Sequence, residues 1–382
     1  MKSISEGKIT PLVKTSMDNA EIEAVTEVIR SGWVSHGENN KVFEREFADY
    51  IGVDYGIAVS NCFAALYSVL VCSNITGEVL VPSFTFGATV NAIHLAGAKP
   101  VFVDVDYDTR NVKAKYILER LTPETQAIII VHYGGQICEM DEIMDIVKER
   151  SLLLIEDSAQ TIGSTYKNRQ AGSFGVGCFS FYATKNISTG EGGLITLSDS
   201  ELHSKLLLFI SHGINRESRG PKWKREVVMA GMNLRLSQIN AAIGVVQLRK
   251  LNTLNKKRRE IALKYNEFFT RLEGVKITET VPQCIHVYQM YTVCVEPAIR
   301  DVLVDKLNRS GIMASVHFDP PVHMHSYYKE CSGDVRLMNT EKLSKEVISI
   351  PIYPGMREDE TGYVCTIFEN IYNDIKHGYD QC

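Results

Sequence analysis

Short apolar runs that alternate with helix-like stretches constrain this chain more than anything else in it. Residues 56–59, 78–81, 99–103, 127–131 and 152–155 are rich in valine, isoleucine and leucine. Helical periodicity follows three of them, at 64–72, 88–96 and 140–150. Runs with no polar alternation are strands buried on both faces, the pattern of a mainly parallel sheet covered by helices. Such sheets gather ligands at the carboxyl ends of their strands, where Ser60, Ser83, Asp104, His132 and Asp157 fall. Before the first run, residues 18–30 read as an amphipathic helix with Ile22, Val25, Val28 and Ile29 on one face, and Gly32 ends it. A second helix follows over 42–50, with Phe43 and Phe47 inward.

The fifth run has the chemistry at its tip. Leu152-Leu153-Leu154-Ile155 leads into Glu156-Asp157, and 28 positions after Asp157 comes Lys185. This lysine sits between an aromatic strand, Cys178-Phe179-Ser180-Phe181-Tyr182, and the turn Gly190-Glu191-Gly192-Gly193. A carboxylate facing a lysine across a small cavity is the minimum equipment for holding pyridoxal phosphate: the aldehyde condenses with the amine as a Schiff base, and the acid keeps the pyridine nitrogen protonated. The plain alternative is a strand that ends in aspartate and a solvated lysine. The strand and glycine-rich turn around Lys185 argue against a freely solvated position, and apolar surroundings lower a lysine's pKa toward that of a nucleophile.

Length and composition bound the rest. The chain has 382 residues, enough for a large domain and a smaller one, and we place the division near residue 250. Residues 1–250 then form a large cofactor-binding domain and 251–382 a small α+β domain, with the N-terminal segment free to pack on the second. A helix from 237 to 257 or beyond closes the large unit. A net charge of −5 gives nucleic acid or a membrane surface no broad basic face. No stretch resembles a membrane span or a signal peptide. Nine scattered cysteines without a C-x-x-C pair fit reduced thiols in the cytoplasm, not disulfides or a metal site. No repeat or low-complexity segment stands out.

Several short motifs occur in a fixed order. Asp157-x-x-Gln160, Ser180-x-x-x-Thr184-Lys185-Asn186, Gly190-Glu191-Gly192-Gly193, His212-Gly213 and Gly231-Met232-Asn233-Leu234-Arg235 are joined by Pro82-Ser83-Phe84-Thr85-Phe86, Gly32-Trp33, His317-x-x-Pro320-Pro321-Val322-His323 and Pro351-x-x-Pro354. Together, from about residue 11 to 360, they resemble the vitamin B6-dependent sugar aminotransferases of the DegT/DnrJ/StrS group. The resemblance implies an aspartate-aminotransferase-like (fold type I) α/β fold and a homodimer with sites at the subunit interface. It implies pyridoxal 5'-phosphate as cofactor, with Lys185 as Schiff-base lysine and proton shuttle. Asp157 would pair with the pyridinium nitrogen, Gln160 would sit over or beside the ring and hydrogen-bond its phenolic oxygen, and Phe86 would stack on the ring face. Ser180 would donate to the phosphate, and Asn233 would reach the phosphate from the partner subunit.

The expected activity is transfer of an amino group from an amino acid, glutamate, to a keto-sugar that is nucleotide-linked. A dehydratase branch of the same group uses the amine form of the cofactor and has histidine at the lysine position, so Lys185 speaks against it. A non-catalytic regulator on this fold is the remaining alternative, and nothing resembling a DNA-binding appendage is present. In one place the chain departs from the group. Asn61-Cys62-Phe63 replaces the usual Ser-Gly-Thr turn, which removes a hydroxyl and adds bulk; Cys62 and Phe63 are kept as cofactor-site candidates. Residues 215–225 carry five cations, Arg216, Arg219 and Lys222 among them, against one acid. They read either as a solvated loop or as partners for a diphosphate. By the resemblance His317 and His323, with His325 and Tyr327, lie near the substrate mouth, though such residues are equally ordinary packing.

Overall fold

A computed structural model of the chain describes residues 9–215, 223, 225–333 and 335–379. Its centre is a seven-stranded sheet of β1 (Tyr55–Val59), β2 (Glu78–Pro82), β3 (Lys99–Val103), β4 (Thr125–Val131), β5 (Leu153–Asp157), β6 (Val176–Ser180) and β7 (Gly193–Leu197), in the order β1-β7-β6-β5-β4-β2-β3. Every pairing from β3 across to β6 is parallel, and β7 runs antiparallel to both β6 and β1. The expected α/β class and mainly parallel sheet are therefore observed.

Alternate residues of each strand feed two different cores. Ile57, Val79, Val81, Ile129, Ile155 and Cys178 pack with α3 (Cys62–Cys72) and α4 (Gly87–Leu95). Leu80, Ile128, Ile130 and Leu154 pack on the other face with α5 (Met140–Arg150). Side chains on a strand alternate sides, so Asp157 shares the face of Ile155 and Glu156 the face of Leu154.

Helix α6 (Gln238–Phe269) links the two parts of the chain. Its first half, through Ala241, Val245, Leu248 and Leu251, packs on Phe43, Phe47, Phe179 and Phe181. Its second half, through Ile261, Ala262, Tyr265 and Phe269, packs in a separate core over a three-stranded antiparallel sheet of β8 (Lys276–Ile277), β9 (Tyr291–Cys294) and β10 (Val347–Ile350). The N-terminal segment joins this second core, where Thr10 N–H donates to Gly311 O at 2.8 Å and Leu12 O accepts from Ile352 N–H at 3.2 Å. No helix among the described residues is long and apolar enough to cross a membrane. Among the same residues no cluster of three or more His, Cys, Asp or Glu could hold a metal ion.

The first helix corrects the periodicity reading. Over Asn19–Ser31 the buried residues are Glu21 and Val28, while Ile22 and Ile29 are exposed. Glu21 can lie inside because Lys250 Nζ and Gln247 Nε2 donate to it at 2.8 and 2.7 Å. The predicted stop holds, with Gly32 in the left-handed region at φ 70°.

Candidate active site

The sheet opens at the carboxyl end of β5 into a cavity of about 550 Å³. Asp157, Gln160, Ser180, Lys185, Phe86, Cys62, Phe63 and His317 all line it. Residues far apart in the chain are brought together by the order of the sheet. β5 carries Asp157 to its edge, β6 ends next to it at Ser180, and the turn after β6 swings Lys185 back over the opening. Helices α3 and α4 present their N-termini to the same space.

Asp157 is 6% exposed. Thr89 Oγ1 donates to its Oδ2 at 2.7 Å, the Ala159 N–H donates to Oδ1 at 3.2 Å, and Cys62 Sγ lies 4.0 Å from Oδ1. Burial pushes the carboxyl above its ordinary range, against the pull of Thr89, the Ala159 amide and the charge of Lys185. Lys185 is half-buried, and burial likewise lowers its amine below the ordinary lysine range, opposed by Asp157. Each group is thus pushed toward its neutral form by dehydration and toward its charged form by the other.

Phe86 is the helix-capping residue of α4, and its ring is 67% exposed beside the cavity. Gln160 Oε1 accepts from the Gly134 N–H at 2.7 Å, which holds its amide group in one orientation. His317 Nδ1 lies 2.8 Å from Ser349 Oγ, and burial, then the nearby Lys185 charge, keep the imidazole below its usual pKa. At α3 the departure in sequence has a simple outcome. Asn61 caps the helix, its Oδ1 accepting from the Ala64 N–H at 2.8 Å, with an extended backbone (φ −170°) that any residue adopts. The close approach is made instead by Gly193, where an added Cβ would lie 2.5 Å from the Asn61 carbonyl carbon. Cys62 and Phe63 form the first turn of α3, whose first amides have no acceptor within the helix and suit an anion.

Other expected residues are placed elsewhere. His323 does not line this cavity: it is buried behind β2, with Nδ1 2.6 Å from Ser83 Oγ. His325 and Tyr327 are exposed; Tyr327 Oη lies 2.6 Å from His94 Nε2. Asn233 is exposed and outside the cavity of its own chain. Arg216, Arg219 and Lys222 lie outside the described residues. Of the five strand-end residues, Asp157 alone lines the cavity. Ser83 binds His323, Asp104 caps the helix Met338–Glu346 by accepting from the Thr340 N–H at 2.8 Å, and His132 pairs with Glu156.

The sequence reading missed Thr85, Thr89 and Gln289, which also line the cavity. Gln289 Nε2 donates to the carbonyl of Thr184, immediately before Lys185, at 3.0 Å. Thr85 lies just before the Phe86 cap of α4 and Thr89 in the first turn of that helix, and their nearness to Phe86 in the chain is the one signal that could have pointed to them.

A doubly covered, mainly parallel sheet with an acid and a lysine meeting beyond its strand ends is the architecture of a fold type I aminotransferase. The chain belongs to the DegT/DnrJ/EryC1/StrS aminotransferase family, whose model matches residues 15–369. It is 37% identical over 379 residues to an uncharacterized protein of Methanocaldococcus jannaschii, covering 95% of this chain and 98% of that one. It is 36% identical over 366 residues to the spore coat polysaccharide biosynthesis protein SpsC of Bacillus subtilis, covering 92% and 94%. Among solved structures, the aminotransferase TlmJ from Streptoalloteichus hindustanus matches with a TM-score of 0.92 at 30% identity, over 96% of this chain and 100% of that one.

Proposed function

We propose that this aminotransferase uses pyridoxal 5'-phosphate to move an amino group from glutamate to the ketone of a nucleotide-linked sugar. The observation that carries the reading is the meeting of Asp157 and Lys185 in one cavity beside the exposed ring of Phe86. The residues present suit the cofactor. A buried carboxylate with one side open to the cavity fits a protonated ring nitrogen, and a half-buried amine with a lowered pKa fits an aldehyde. An uncovered aromatic face fits the ring itself, and Ser180 with the first turn of α3 suits the phosphate. When bound, the cofactor supplies an aldehyde that condenses with amines and a ring that takes up electrons.

The chain's own groups then divide the work. Lys185 Nζ would hold the aldehyde of the cofactor and would move the proton that the transfer requires. Burial lowers its pKa from the ordinary lysine range toward that of a base. Asp157 would pair with a protonated ring nitrogen, Phe86 would offer its exposed face to the ring, and Gln160, held by the Gly134 amide, would contact it too. Lys185 is the one fixed cation among the described lining residues. Arg216, Arg219 and Lys222 therefore remain the proposed partners of a sugar diphosphate. Asn233, exposed and outside its own cavity, is proposed to serve the phosphate of a partner subunit in a homodimer. Exposed Trp33, Val34 and Met232 favour association. The cytoplasm is the proposed compartment, and residue 250 the proposed domain division.

The test is chemical. Borohydride reduction of the cofactor-loaded protein followed by peptide mapping is expected to put the pyridoxyl label on Lys185, and glutamate is expected to bleach the bound chromophore. A screen of keto-sugars against the aminated form then names the acceptor. A label on any other lysine overturns the assignment.

A further inference from the structure

The geometry points to Thr85 and Thr89 as a polarised pair of hydroxyls that holds Asp157 as an oriented carboxylate, which makes both positioning residues for the proposed amino transfer. The inference rests on that proposed function and adds residues to it. Thr89 Oγ1 lies 2.7 Å from Asp157 Oδ2, and Thr85 Oγ1 lies 3.0 Å from Thr89 Oγ1. Both threonines are buried. A hydroxyl has one proton to give. With Asp157 ionised, the Thr89 proton goes to the carboxylate, so Thr89 Oγ1 can only accept from Thr85, and the two dipoles align toward the charge. Bonds in such a chain polarise one another and strengthen.

The rest of the carboxylate's surroundings explain why this matters. Oδ1 accepts from the Ala159 amide at 3.2 Å and, among the described residues, has otherwise the weakly donating Cys62 thiol at 4.0 Å. Dehydration drives a buried carboxyl toward its neutral form. A neutral Asp157 would be a hydrogen-bond donor or a mere acceptor, not a counter-ion, and the ring would lose its electron sink. Fixing Oδ2 from the α4 side also leaves the carboxylate one defined way to face the cavity.

The experiment compares Thr89→Val, which keeps the shape and removes the hydroxyl, with Thr89→Ser, which keeps the hydroxyl. Thr85→Val and the double variant complete the set. Three quantities are read on each purified protein: equilibrium binding of pyridoxal phosphate to the cofactor-free form, the pH profile of kcat, and KM for both substrates. A lost hydrogen bond to a charged group is worth about tenfold or somewhat more. Thr89→Val is therefore expected to weaken cofactor binding and lower kcat by about tenfold each, with KM within twofold. The acid limb of its pH profile should move to higher pH. Thr89→Ser should stay within about threefold of the parent. Thr85→Val should show a smaller loss of the same kind, and the double variant should be no worse than Thr89→Val, since Thr85 acts only through Thr89. Unchanged binding and pH profile in Thr89→Val, or failure of Thr89→Ser to restore them, overturns the inference while the parent still transaminates. If the parent neither binds pyridoxal phosphate nor transaminates, the proposed function fails instead.

Discussion

Two adjacent acids on β5 have opposite fates. Glu156 points to the α5 side and is closed off. Its Oε1 accepts from the Phe174 and Gly175 amides at 2.7 and 2.8 Å, and its Oε2 from the Gly172 amide at 2.8 Å and His132 Nε2 at 3.0 Å. His132 Nδ1 accepts the Cys138 amide proton at 3.2 Å, so the ring donates to Glu156 through Nε2. Four donors meet four acceptor positions, and the group is spent on structure. Asp157, one residue on, has two conventional donors and an open side facing Lys185. A buried charge that is fully bonded holds a fold together; one left partly bonded is available for chemistry.

The lysine is the position at which a substitution should cost the most. Lys185→Ala removes the amine that gives the Asp157 side its purpose, and turnover is expected to fall by about 10⁴-fold, with the far-ultraviolet dichroism and unfolding midpoint close to the parent's. Transamination at the parental rate would deny Lys185 its role. Next comes the open acid. Asp157→Asn keeps the shape and removes the charge, and kcat is expected to drop by about 10²–10³-fold, the usual size of a lost electrostatic partner. The same substitution at a merely structural acid would leave kcat per folded molecule unchanged.

The closed acid should answer in the opposite currency. In Glu156→Gln one carboxylate oxygen becomes an NH₂, and whichever end it occupies, it faces two donors. At least two buried donors lose their acceptor, at about 1–3 kcal/mol each, so urea unfolding should show a loss of about 2–6 kcal/mol. Steady-state kcat of the folded fraction should stay within twofold. If Glu156→Gln loses catalysis and keeps its stability, the division of labour between the two acids is wrong.

How much of this was legible beforehand differs between the two acids as well. The strand was legible, because an unbroken apolar run followed by polar residues has few other meanings. Which acid faced the cavity was not. Both faces of β5 are apolar, so the alternation that labels a half-buried strand has no contrast here. Asp157 stood out only through its spacing to Lys185 and the ordered motifs. The residues that settle its environment, Thr89 and Cys62, lie 68 and 95 positions away in the chain, and no local pattern announces such partners. The same distance hid the fates of Ser83 and His323, 240 positions apart and bonded to each other. It also hid Glu21, whose burial depends on Lys250. Asn61-Cys62-Phe63 was legible as a departure, yet not as harmless to the backbone, because the glycine that permits the close approach is Gly193 on a different strand.

The smallest expected effect tests the comparison through stability alone. Burial raises the Asp157 carboxyl above the ordinary 3.8 in the cofactor-free protein, so over that window the folded state holds a proton that the unfolded state has released. Stability therefore falls as pH rises from about 4 through the raised value, and the penalty is constant above it. Asparagine does not titrate. The urea midpoints of the cofactor-free parent and Asp157→Asn should accordingly lie closest near pH 4 and separate as pH rises, the variant becoming the more stable by about 1.4 kcal/mol for each unit of upward shift. Adding pyridoxal phosphate should reverse the order, since a ring-nitrogen charge repays the carboxylate and asparagine cannot supply it. A variant that gains nothing with pH would mean that the two donors on Asp157 already satisfy it, and that the contrast with Glu156 is one of position alone.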